Sequence, residues 1–144
     1  YINNYQAVVV PAAYEGEITS FLDLDGMVLA VQKETTSDIL MSDYVATETI
    51  AATISANEKI ATCFAQLTAG EVDAVVVDST VAMGYLASSP GMYKIAYLDE
   101  SEPEQFGVAM GLDAAALQAA INEAIAQLTE EGFFDENIAF WFGE

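Results

Sequence analysis

The chain has no arginine, no histidine, one cysteine (Cys63) and only three lysines, Lys33, Lys59 and Lys94. Against those cations stand 23 aspartates and glutamates, a net charge of −20 over 144 residues. Nucleic-acid binding draws its affinity largely from lysines and arginines that neutralise phosphates, and three dispersed lysines cannot supply it. Anionic membrane surfaces are disfavoured on the same ground. No apolar run approaches the roughly 20 residues of a bilayer-spanning helix, so the chain reads as soluble. Without histidine, and with one cysteine, neither a zinc site of the usual kind nor a Ser-His-Asp or Cys-His nucleophile can be assembled. Most familiar hydrolases are excluded with them, and no metal or cofactor is expected. The Asp23-Leu24-Asp25-Gly26 turn superficially resembles a calcium loop, but it lacks the further oxygen ligands and the closing glutamate. It reads as a turn. Neither a start methionine nor a basic-then-apolar leader precedes the first strand, so any targeting segment is expected to lie outside this sequence.

What is present argues for a folded domain. A hydrophobic share of 53% is too high for a disordered acidic chain, and a chain of this length can bury a core without disulfides. Ala7 to Val10, ended by Pro11, predicts a first strand over about 6–10. Val28 to Val31 and Ala74 to Val77 are short continuous apolar runs, the pattern of strands covered on both faces. Thr35-Thr36-Ser37-Asp38 is a cluster of helix-capping types, predicting a helix that ends before Glu48. Thr49 to Ile54 predicts a strand, and Ser55 with Glu58 a capping box that opens a helix closed by Gly70. Ile60, Cys63, Phe64 and Leu67 share one face of it, making Cys63 a core residue. Asp78-Ser79 starts a further helix, stopped at Ser88 to Gly91. Tyr93 to Leu98 predicts a strand, followed by an acidic connector containing Pro103. Alternating strands and helices at these spacings indicate an α/β fold with an open, parallel-type sheet. Thereafter Asp113 caps an amphipathic helix with Leu117, Ile121, Ile125 and Leu128 on one face, and Gly132 separates it from an aromatic-rich end.

In an open α/β sheet, ligands bind beyond the carboxyl ends of the strands, which singles out two loops. Thr35, Thr36 and Ser37 follow the Val28–Val31 strand at a helix start, where backbone N–H groups and hydroxyls suit an anion. The same residues are also what any helix start prefers as caps. Asp78 ends the Ala74–Val77 run and is either a cap or a carboxylate aimed at a ligand cation; Ser79 is a weaker candidate in that loop. Lys33 and Glu34 read as solvated. No catalytic residue can be named.

The ordered set Asp23-Leu24-Asp25-Gly26, Val28 to Val31, Glu34 to Ser37, Leu67 to Ser79 with its Ala-Gly-Glu-Val-Asp-Ala-Val run, Gly107 to Met110 and Trp141-Phe142-Gly143 resembles the type 2 periplasmic solute-binding proteins, family 3, the polar amino-acid binders of ABC importers. The resemblance implies a clamshell of two lobes joined by crossing segments, of which residues 6–103 would be the second lobe. Tyr1 to Val10 would be the first crossing and Pro103 to Met110 the return. Residues 104–144 would be the return strand and C-terminal helices that pack on a first lobe, whose opening portion is missing from this sequence. Thr35 and Thr36 would contact a ligand's α-carboxylate and Asp78 its α-ammonium. The family pattern has glycine where this chain has Glu34. A first lobe would bring an arginine to the carboxylate, and this chain has none, so by itself it is expected to bind amino acids weakly or not at all. The resemblance further implies an extracytoplasmic location and an ABC permease as partner. The uncovered tail implies a homodimer. Different classes on the same fold are an arogenate- or cyclohexadienyl-dehydratase-like enzyme and a sensory domain.

Overall fold

A computed structural model describes residues 3–142. Tyr1, where the first crossing was expected to begin, and Gly143 of the terminal Trp-Phe-Gly lie outside the described residues. Five strands form one sheet in the order β3-β2-β4-β1-β5: β1 (Asn3–Pro11), β2 (Val28–Gln32), β3 (Thr53–Asn57), β4 (Ala74–Asp78) and β5 (Tyr93–Gln105). β2 runs parallel to β3 and β4, whereas β1 runs antiparallel to both its neighbours, β4 and β5. The α/β class is the one the sequence indicates, but the sheet is mixed because β1 enters it from the opposite end.

The continuous apolar runs have the expected cause, which is cover on both faces. Along β1, Val8 and Val10 join Leu29, Val31 and Val76 on one face, under Phe21, Leu24 and Met41. Ala7 and Val9 join Ala30, Val75 and Val77 on the other, under Cys63, Phe64 and Leu67. Successive strand side chains alternate faces, so a strand covered on both sides shows no polar alternation. Met41 comes from α1 (Thr36–Ala46), and the second group from α2 (Ile60–Ala69), while Ala82 of α3 (Ser79–Ser88) extends it. Each fully buried Leu or Val contributes on the order of 1.5–3 kcal/mol. Gly70 closes α2 at φ 71, the left-handed conformation expected there.

Several boundaries differ from the sequence-based expectation, each for a visible reason. The strand expected at 49–54 lies at Thr53–Asn57. The amides of Thr49 and Ile50 instead return to the carbonyl of Tyr44, and Ile50 and Ala52 plug the core ahead of the strand. Ser55 is therefore a strand residue and heads no capping box: its hydroxyl donates to Gln66 of α2 at 3.1 Å, and Glu58 pairs with Lys33. The N-cap of α2 is Lys59, which makes no side-chain cap bond. The acidic connector after Leu98 belongs to β5, which continues to Gln105, while the expected return strand does not extend through 106–110, which are irregular.

The last two helices are α4 (Ala115–Glu130) and α5 (Phe133–Phe142). The N-cap of α4 is Ala114, without a side-chain bond, rather than Asp113. No residue of α4 is buried. Leu112, Leu117, Phe140 and Trp141 are all more than half exposed. α5 touches α3 and α4, so the tail is attached to the sheet domain through α3, with much of its apolar surface left facing outward.

Candidate functional site

Because β2 and β4 are parallel neighbours, α1 and α3 begin at the same end of the sheet, and antiparallel β1 brings its first residues to that end as well. The register pairs Gln6 with Asp78. Gln6 becomes the centre of the cluster. Its Nε2 donates to Thr36 Oγ1 (3.0 Å), Asp78 Oδ1 (3.0 Å) and Glu104 Oε1 (3.2 Å), three acceptors sharing two protons. Its Oε1 accepts from Ser37 Oγ at 2.6 Å. Gln6 and Ser37 are buried, whereas Asp78 and Glu104 are half-buried and Thr36 is exposed.

The candidate residues thus divide by role. Thr36, Ser37 and Asp78 are brought together on one amide. Thr35 is the N-cap of α1: its Oγ1 accepts from the Asp38 amide and donates to the Gln32 carbonyl. Ser79 Oγ is buried, donating to Asn4 Oδ1 and accepting from the Tyr5 amide. Asp78 stands in the N-cap position of α3, yet its side chain makes no cap bond. The capping acceptor comes from β1: Asn4 Oδ1 receives the Thr80 amide and hydroxyl. This leaves the carboxylate of Asp78 turned to Gln6 at the strand end, and a helix start keeps its cap from another element.

Three participants, Asn4, Gln6 and Glu104, were missed by sequence reasoning. The available signal was Asn4 and Gln6, spaced i, i+2 ahead of the apolar run of the strand and so on one side of it. Glu34, where the resemblance implies glycine, adopts φ 61. That left-handed conformation costs a residue with a Cβ on the order of 1–2 kcal/mol, which is a physical reason for the glycine. Here the Glu34 amide is held by Asp38 Oδ2 at 2.9 Å.

Beside Gln6 and Thr36 opens a cleft of about 410 Å³, also lined by Ile39, Leu40, Asp43, Asp99, Glu102 and Glu104. Four of the eight lining residues are carboxylates and none is cationic, so the cleft favours positive charge. Among the described residues no cluster suited to a metal ion occurs. Asp23 is engaged by the Thr19 and Ser20 amides, which hold its carboxyl below the ordinary aspartate value, and Asp25 by the Ala51 amide. Asp23 lies in a short 3-10 helix, Phe21–Leu24, and only Asp25 and Gly26 form the expected turn. No helix among the described residues is long and apolar enough to cross a membrane.

No protein-family model matches the chain. Solved structures do. A mutant of ArgBP from T. maritima is 30% identical over 100% of this chain and 60% of its own, with TM-score 0.77. An ancestral arginine-binding protein bound to arginine is 29% identical over 99% of this chain and 62% of its own, with TM-score 0.78. An amino acid ABC transporter substrate-binding protein from Streptococcus pneumoniae, bound to L-arginine, shares the fold at 24% identity and TM-score 0.81, over 99% of this chain and 58% of its own. This chain spans about 60% of the length of such proteins. In fold, and in sequence at about 30% identity, the chain is similar over part of their length to type 2 periplasmic solute-binding proteins of family 3, the arginine-binding proteins and amino acid ABC transporter substrate-binding proteins.

Proposed function

We propose that residues 6–103 form one ligand-facing lobe of an amino-acid receptor that serves an ABC permease outside the cytoplasm, and that the chain is a binding module rather than an enzyme. Thr35, Thr36 and Ser37 at the start of α1 receive the ligand's α-carboxylate, whose charge the helix N-terminus favours. Asp78, in the loop it shares with Ser79, receives the α-ammonium. The observation that carries this reading is that Asp78 heads a helix without capping it, its carboxylate held instead toward the start of α1 through Gln6. The acidic cleft adds a preference for a cationic side chain, and arginine is the ligand named for two of the similar structures.

Half of such a site is absent, since the chain contains no guanidinium to pair with a carboxylate. L-arginine is therefore expected to bind the chain by itself only at millimolar concentration, shifting the backbone amides of Thr36 and Asp78 in ¹H–¹⁵N spectra. A chimera carrying the N-terminal portion of ArgBP from T. maritima is expected to bind it far more tightly, and Asp78→Asn to abolish binding in both. A chimera that folds yet gives no saturable heat with any L-amino acid refutes the reading.

For residues 104–144, we propose that the outward apolar surface of α4 and α5 is covered by a second copy of this chain when no first lobe is present. Sedimentation at micromolar concentration is expected to show a dimer that Leu117→Glu dissociates. A monomer that binds no hydrophobic dye rules this out.

A further inference from the structure

We propose that Glu104 is a positioning residue, through which the far end of β5 sets the geometry of the Gln6 cluster. β5 pairs Asp99 with Gln6, and a regular antiparallel ladder would then place Ser101 opposite Asn4; instead Glu104 is there. Residues 100–103 bulge out of the ladder, stabilised where Asp99 Oδ1 accepts from the Ser101 amide (3.1 Å) and hydroxyl (2.7 Å). Pro103 sits in this excursion, where its missing N–H costs no ladder bond. Bulges of this kind re-aim side chains next to functional sites.

Re-pairing at Glu104 gives its carboxylate two amides from one side of β1. Oε2 accepts from Asn4 Nδ2 at 3.1 Å and Oε1 from Gln6 Nε2 at 3.2 Å. A carboxylate suits this task because both its oxygens accept and neither donates. The other ends of those two amides hold the two helix starts. Asn4 Oδ1 caps α3 through Thr80 and Ser79, and Gln6 Oε1 accepts from Ser37 of α1, while the Gln6 Nε2 that reaches Glu104 also donates to Thr36 and Asp78. A displacement of the strand end that carries Glu104 is thereby transmitted to both loops at once. β5 leads into residues 106–110 and the C-terminal helices, so the link connects the tail to the ligand loops.

The consequence for binding rests on the proposed amino-acid function; the coupling itself does not. The test uses the full chain, with Glu104→Ala and Glu104→Gln compared to the parent by ¹H–¹⁵N spectra and by L-arginine titration. Glu104→Ala is expected to shift the side-chain amide signals of Asn4 and Gln6, and with them the backbone amides of Thr36, Ser37, Ser79 and Thr80. Glu104→Gln keeps one acceptor oxygen and is expected to shift them less, which also carries the test where the alanine variant fails to fold. The dissociation constant for L-arginine is expected to rise about tenfold in Glu104→Ala, the equivalent of one charge-assisted hydrogen bond, and less in Glu104→Gln. Shifts confined to residues 102–106 in both variants overturn the proposal. If the parent chain does not bind L-arginine, the functional reading is what fails, and the amide shifts still decide the coupling.

Discussion

Replacing Gln6 tests the architecture of the site directly. In Gln6→Leu a similar volume remains, but Ser37, only 2% exposed, loses the acceptor at 2.6 Å. A buried hydroxyl left without a partner costs about 1–3 kcal/mol. Asp78 and Glu104 lose their shared donor too, but both are half-buried, so water replaces it at small cost. The added burial of leucine offsets on the order of 1 kcal/mol, leaving a net loss of about 1 kcal/mol. With a urea m-value of about 1–3 kcal/mol/M, the midpoint should fall by roughly 0.5 M. Gln6→Glu is the sharper perturbation, because it adds a third carboxylate at hydrogen-bonding distance from two others. Like charges that close raise the folded-state pKa of the group, so the destabilisation is full at pH 7 and fades as pH falls through that raised value and the carboxyls protonate. Urea titrations of the three proteins at pH 7 and pH 5 provide the comparison. A Gln6→Leu protein within about 0.5 kcal/mol of the parent, or a Gln6→Glu deficit that is unchanged between the two pH values, would refute the reasoning.

Glu34→Gly should stabilise the chain by up to about 1 kcal/mol by relieving the left-handed backbone at φ 61, and should strengthen carboxylate binding at α1 by removing a like charge; an unchanged urea midpoint counts against the first claim. Burial raises the Cys63 thiol above its ordinary value, so a thiol reagent at pH 8 should label the native protein far more slowly than the unfolded one, and equal rates would place Cys63 outside the core. Asp23 has a depressed folded-state pKa, so its contribution is present above the unfolded value near 3.8 and lost as pH falls below it. Asp23→Asn should accordingly be less stable than the parent at pH 7, with a narrower gap at pH 3, by thermal melts in both buffers; a constant gap contradicts this.

Where local chemistry dictates structure, the sequence was legible. The valine runs specified β1, β2 and β4 because both faces of the sheet are covered. Gly70 marked the end of α2 because only a left-handed residue closes it there. The Thr35 cap was equally plain, since its hydroxyl serves an amide three residues away. The strand at Thr53–Asn57 was misplaced because its polar residues, Ser55 and Asn57, are satisfied by Gln66 of another element, a partner that periodicity does not reveal. β5 was cut short for a related reason: its acidic second half pairs with Asn3 and Asn4, about a hundred positions earlier.

The charge of −20 and the absence of arginine and histidine were decided by the sequence by itself, because composition alone settles whether phosphates can be neutralised or an imidazole can take a proton. It also pointed to Thr36, Ser37 and Asp78, since strand ends leading into helices are recognisable locally. That these three meet on one buried amide, that Asn4 rather than Asp78 caps α3, and that a bulge delivers Glu104 to both amides were decided only by the tertiary structure. Each depends on antiparallel pairing of β1 with strands far along the chain, and hydrogen bonds between such distant residues leave no periodic trace in the sequence.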